Sequence, residues 1–178
     1  MKSLLKYIFL LLFISVIAQN ERKIDTIGID IYDALYIVKN NTLFKILDDE
    51  TQSYQNFNFG EITSVDIINP LEIVVFYKEF NTSLILDNQL NTKHTIRFIN
   101  NILFTRKGIT NKIWIYNEDE NKLQLYDYKS NTVSISSQVL TDFRPLIMKS
   151  SFNNVRLINN KKTLIFDRYL YLQETIIH

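Results

Sequence analysis

The residues able to do acid–base or ligand chemistry are few in this chain and their arrangement is regular. Four aspartates, Asp48, Asp87, Asp127 and Asp167, close the related segments NNTLFKILD, FNTSLILD, ENKLQLYD and NKKTLIFD, at spacings of 39, 40 and 40 residues. Acid catalysis requires carboxylates that converge in one cleft. Acids that recur once per repeat instead sit one to a unit, where a carboxylate accepts backbone N–H groups of the following turn. We therefore read these four as structural anchors. Asp30, Asp66 and Arg106 fall in the first strand expected of their units, with Met148 read as the fourth equivalent, and are the candidates for a ligand site at a channel mouth. The competing reading of these three is ion pairing between units, because charges that leave water take partners.

Other chemistry is poorly supplied. The two histidines, His94 and His178, lie in different repeats without ligand spacing, and His94 reads as a surface residue. The acidic runs Asp48-Asp49-Glu50 and Glu118-Asp119-Glu120 lack the alternating spacing of a calcium loop and read as solvated turns. The chain has no cysteine, which excludes disulfides, cysteine nucleophiles and Cys-ligated metals. HExxH, GxSxG and phosphate-binding glycine motifs are also missing. No catalytic residue, metal or cofactor is expected. A formal charge of +1 over 178 residues gives no electrostatic footprint for nucleic acid.

The elements that must position these residues repeat with the same period. β-Branched and aromatic runs, Leu35–Val38, Ile73–Tyr77, Ile113–Tyr116 and Val155–Ile158, precede the four segments and form hairpins with them. From each run's first residue to the turn residue (Asn41, Asn81, Asn121, Lys161) the separations are 6, 8, 8 and 6. A difference of two keeps the side chains on the same faces. An earlier strand (27–31, 63–68, 102–107, 146–151) and a later one (53–57, 93–98, 132–137, 171–177) complete each unit. Four short strands in about 40 residues is the period of a propeller blade. The expected fold is all-β and β-propeller-like, with four blades over about 24–59, 60–99, 100–138 and 139–178, as a compact ring, an open arc or part of a larger propeller. An open arc leaves faces and edges exposed and favours self-association. Trp114, Tyr77 and Tyr116 are assigned to inter-blade packing. Only three glycines serve all these turns, so Asn and acidic residues must take positive φ in their place.

Residues 1–18 read as a cleaved signal peptide: Lys2 and Lys6 precede an uncharged, mostly apolar run from Tyr7 to Ile17, and Val16 and Ala18 suit cleavage before Gln19. The run is shorter than a membrane span. Removing it takes away two lysines and no acid, turning the formal +1 into −1. The expected mature chain, 19–178, is exported to the periplasm or beyond and has no membrane span.

The Ala18-Gln19 junction, the segment Ser64-Val-Asp-Ile-Ile-Asn-Pro-Leu-Glu-Ile-Val-Val-Phe-Tyr-Lys-Glu-Phe-Asn81 and the stretch Leu84-Ile-Leu-Asp-Asn88 resemble an uncharacterised secreted β-propeller family of Bacteroidota. The similarity covers 24–178 in outline and is sharp over 62–98. It implies fold and export and carries no catalytic residues. WD40 repeats are a poor match, since their Gly-His and Trp-Asp signatures are missing and Asp127 follows Tyr126. Together these readings point to a non-catalytic binding or scaffold module for a protein or glycan partner. The alternative is part of a propeller enzyme of lyase or lactonase type.

Overall fold

The computed structural model describes residues 24–178; the expected signal peptide lies outside them. The described chain is all β apart from a single 3-10 turn at Phe57–Phe59. Blade 1 comprises β1 (Ile24–Ile29), β2 (Leu35–Lys39), β3 (Thr42–Leu47) and β4 (Glu50–Gln55). Blade 2 comprises β5 (Ser64–Asp66), β6 (Ile73–Tyr77), β7 (Thr82–Leu86) and β8 (Thr92–Arg97). Blade 3 comprises β9 (Ile102–Lys107), β10 (Lys112–Asn117), β11 (Lys122–Asp127) and β12 (Thr132–Ser136). Blade 4 comprises β13 (Ile147–Ser150), β14 (Asn154–Ile158), β15 (Lys162–Asp167) and β16 (Leu172–Ile177). Each blade is an antiparallel meander in sequence order, so the period read from the aspartates is the period of the sheets.

The hairpin turns follow the parity argument. Lys39 pairs with Thr42 around Asn40-Asn41, both at positive φ, as a two-residue type I′ turn demands. Tyr77 pairs with Thr82 and Asn117 with Lys122 around four residues, so the added pair leaves both faces unchanged. Asn81, Asn121 and Asn131 also take φ near 50°, which explains how the chain turns so often with three glycines. The fourth strand of blade 1 begins three residues before its expected start, because Leu47 and Glu50 close a tight turn at Asp48-Asp49.

Side chains alternate between the two faces of each sheet, and the faces pack blade on blade. Tyr36 and Leu43 of blade 1 pack with Ile73, Val75, Leu84 and Leu86 of blade 2. Val74, Phe76, Ile85 and Ile96 on the other face of blade 2 meet Ile102, Ile113 and Ile115 of blade 3. Trp114, Tyr116, Leu123 and Leu125 meet Met148, Val155, Leu157, Leu164 and Phe166 of blade 4. Trp114, Tyr77 and Tyr116 are fully buried in these interfaces, as expected. No core cluster among the described residues joins blade 4 to blade 1, and the four sheets form an open arc.

Candidate functional site

The inner strands β5, β9 and β13 converge, and two of the three channel-mouth candidates meet there. Arg106 donates from Nε to the Met148 carbonyl at 3.0 Å and from Nη1 to Ser64 Oγ at 3.0 Å, tying blades 2, 3 and 4 together. Asp66 Oδ2 accepts the backbone N–H of Lys107 at 2.9 Å and the Ser150 hydroxyl at 3.3 Å, while Oδ1 accepts Ile68 N–H at 3.0 Å. Burial pushes the Arg106 guanidinium below its ordinary pKa, and the nearby Asp66 charge opposes that shift. Strand register puts Asp66 opposite Val74 and Arg106 opposite Trp114; the matching positions in blades 1 and 4 are Gly28 and Lys149, rather than Asp30 and Met148.

Asp30 lies apart from this cluster. Its carboxylate accepts the N–H groups of Tyr32 at 2.8 Å and Ala34 at 3.1 Å, and the Tyr36 hydroxyl at 3.0 Å. It shapes the β1–β2 loop, and burial followed by this bond raises the Tyr36 hydroxyl pKa.

Beside the axial cluster is an ion pair that the sequence reading did not single out. Lys107, with its side chain 1 % exposed, places Nζ 3.2 Å from Glu72 Oε2. The same Nζ donates to the carbonyls of Gly108 at 3.0 Å, Lys112 at 3.3 Å and Thr110. The Tyr128 hydroxyl donates to Glu72 Oε1 at 2.8 Å, and the His94 ring packs against the Tyr128 ring, tilted by 48° with centroids 5.1 Å apart. Burial acts to raise the Glu72 carboxyl, but the Tyr128 bond and the Lys107 charge outweigh it and hold it below its ordinary value. Burial lowers the Lys107 ammonium against the pull of Glu72. A buried ammonium with one carboxylate and three carbonyls is fully satisfied, so this cluster fastens blade 2 to blade 3.

The repeat aspartates divide three to one. Asp87 Oδ1 accepts the N–H groups of Gln89 and Asn91, both at 2.9 Å. Asp127 Oδ1 accepts Lys129 and Ser130, at 3.0 and 3.2 Å. Asp167 Oδ1 accepts Tyr169 and Tyr171, both at 2.9 Å. Asp48 instead occupies the first position of the tight β3–β4 turn at φ 50°.

The repeat asparagines do more than turn the chain. Asn81 donates to the Phe98 and Asn100 carbonyls at 2.9 and 2.6 Å and accepts Ile102 N–H at 3.0 Å. Asn41 binds Gly60 O and Ile62 N–H at 2.8 and 2.6 Å, and Asn121 binds Leu140 O at 2.5 Å. Each pins the connection that leads into the next blade. The 40-residue spacing of these asparagines was the available signal, although positive φ alone was read from it.

A concave surface lies between blades 3 and 4. A cleft of about 640 Å³ is lined by Phe143, Phe166, Tyr169 and Tyr171 with Lys162 and Ser137. Lys162 Nζ sits 5.6 Å from the Phe143 ring centre, and Tyr169 and Tyr171 are 53 % and 68 % exposed. Among the described residues no group of three or more His, Asp or Glu is placed to hold a metal ion, and no helix is long and apolar enough to cross a membrane.

No family model matches the chain, and no curated protein does. Solved structures do resemble it. A catalytically inactive virginiamycin B lyase from Staphylococcus aureus with quinupristin is similar over 88 % of this chain and 56 % of its own, at TM-score 0.63 and 12 % identity. BamB from Moraxella catarrhalis matches 88 % of this chain and 51 % of its own, at TM-score 0.58 and 11 % identity. The Neurospora crassa Pan2 WD40 domain matches 81 % and 49 %, at TM-score 0.59 and 9 % identity. The chain thus spans about half the length of these structures. With its four meander sheets packed face to face, it has the fold of a β-propeller, as an arc of four blades.

Proposed function

We propose that this chain is an exported, non-catalytic β-propeller module that recognises a protein or glycan partner. The supporting observation is the cleft between blades 3 and 4, where exposed Tyr169 and Tyr171 and the Phe143 ring stand beside Lys162 and Ser137. Aromatic faces offer area at low entropic cost, and a few polar groups set orientation, which is the usual make-up of a recognition site. Export rests on the N-terminal sequence. The test is a labelled chain applied to glycan and peptide arrays, with Tyr169→Ala/Tyr171→Ala as the comparison. Binding that falls at least tenfold in the double variant supports the reading. Binding indifferent to both substitutions, or chemical turnover of the ligand, overturns it.

A second reading, a portion of a lyase-type propeller enzyme, draws support from the similarity to virginiamycin B lyase over 88 % of the chain. Incubation with quinupristin followed by mass spectrometry separates the two. A changed product mass favours the enzyme, and unchanged quinupristin favours the binding module.

A further inference from the structure

The two ends of the arc carry the two halves of one blade interface. Leu35, Ile37, Phe44 and Ile46 of blade 1 occupy the repeat positions of Ile73, Val75, Leu84 and Leu86 in blade 2 and of Val155, Leu157, Leu164 and Phe166 in blade 4. In blades 2 and 4 all eight residues lie in core clusters against the preceding blade. In blade 1 the same four positions have no preceding blade among the described residues and are only half-buried, and Ile29 beside them is 65 % exposed. Blade 4 presents the opposite face. Thr163 and Ile165 there occupy the positions of Ser83 and Ile85, which face blade 3 from blade 2. Ile147 and Ile176, in the same row as Thr163, are 47 % and 41 % exposed.

We propose that a second copy of this chain covers both faces, blade 4 of each copy packing on blade 1 of the other. Equivalence with buried interfaces identifies the occupant as the next-facing side of another blade. Among the described residues the unpartnered side of that kind is blade 4's. One polar detail matches as well. Ser83 Oγ donates to Thr105 Oγ1 at 3.1 Å between blades 2 and 3, in a buried bond. Thr163 stands at the Ser83 position, buried in the single chain with its hydroxyl 3.0 Å from His178 Nε2, and Thr26, exposed and opposite Ile37 as Thr105 is opposite Ile115, stands at the Thr105 position; pairing of the two exchanges the His178 contact for the one seen between Ser83 and Thr105. The open rows of blade 1 (Thr26, Ile37, Phe44, Ser53) and (Ile29, Leu35, Ile46, Thr51) hold no charge. The row of blade 4 around Ile165 carries Lys149, Arg156 and Glu174, which meet no like charge in those two rows; Lys39 lies in the third row of the blade 1 face, with Thr42 and Gln55. A twofold pair joined this way buries two identical blade contacts instead of one.

Light scattering on the expressed chain tests the proposal. Wild type should run at twice the mass of one mature chain. Ile37→Asp on blade 1 and Ile165→Asp on blade 4 should each give monomer, and a mixture of the two should recover a dimer through the one intact contact. A monomeric wild type at about 100 µM, or dimers lost with Ile37→Asp and kept with Ile165→Asp, overturns the arrangement. Should either aspartate unfold its blade, Thr26→Cys/Thr163→Cys provides the second measurement in a chain without cysteine. Oxidation should yield a disulfide-linked dimer, and monomer alone contradicts the proposal.

Discussion

Asp66 Oδ2 and Ser150 Oγ, 84 residues apart in sequence, lie 3.3 Å apart where blade 2 meets blade 4. The same carboxylate faces Arg106 and accepts the Lys107 amide, so one acid links three blades. Its loss should cost far more than the loss of its serine partner. Ser150→Ala removes one hydrogen bond and should destabilise by about 1 kcal/mol. Asp66→Ala leaves two amides without an acceptor and a buried guanidinium without its counter-charge, at about 3 kcal/mol. Urea denaturation of the two variants measures the difference.

The inter-blade asparagines carry two separable roles. Asn81→Gly keeps the φ of 49° but removes three hydrogen bonds to the next connection, and should cost about 2–3 kcal/mol. Asn81→Ala adds the strain of a left-handed backbone, about 1 kcal/mol more. The ordering wild type, glycine, alanine in urea midpoint is the expected result.

Glu72 gives the fold an acid limit. Its folded pKa is depressed, so its contribution is complete above the unfolded value, near ~4.3, and is lost as pH falls through the folded value. Glu72→Gln strands the buried Lys107 ammonium and should cost about 3 kcal/mol at neutral pH. The same variant should flatten the fall in urea midpoint on the acid side. Lys107→Met in the Glu72→Gln background should recover most of the loss.

Trp114 is fully buried between blades 3 and 4, and its indole N–H has no hydrogen-bond partner among the described residues. Trp114→Phe gives up apolar area but also removes an unpaired buried donor, so the net cost should be about 1 kcal/mol. Trp114→Ala should cost about 3–5 kcal/mol. Thermal melts followed by circular dichroism compare them.

The architecture was legible because a blade is local: its turns and alternating faces repeat within one stretch of sequence, as the 40-residue steps from Asp87 to Asp127 to Asp167 show. Asp48 broke step where a two-residue turn replaced the longer loop of the other blades. The axial cluster was half legible. Asp66 and Arg106 stood out as charges in inner strands, but Asp30 belongs to a loop that its own backbone closes. The partners Ser150 and Glu72 were not legible, since only the arc's curvature brings residues so distant in sequence together. The clamping role of Asn41, Asn81 and Asn121 was hidden for a related reason: a side-chain amide that turns one blade and pins the next has no one-strand signature.

The register of one blade against the next underlies both the site and the vacant end faces, and one cross-link tests it. Ser83 Oγ and Thr105 Oγ1 are 3.1 Å apart across the blade 2–blade 3 interface. Ser83→Cys/Thr105→Cys in this cysteine-free chain should close an intrachain disulfide on oxidation, seen as a two-proton mass loss without any cross-linked multimer. Two free thiols after oxidation of the folded chain would contradict the blade packing described.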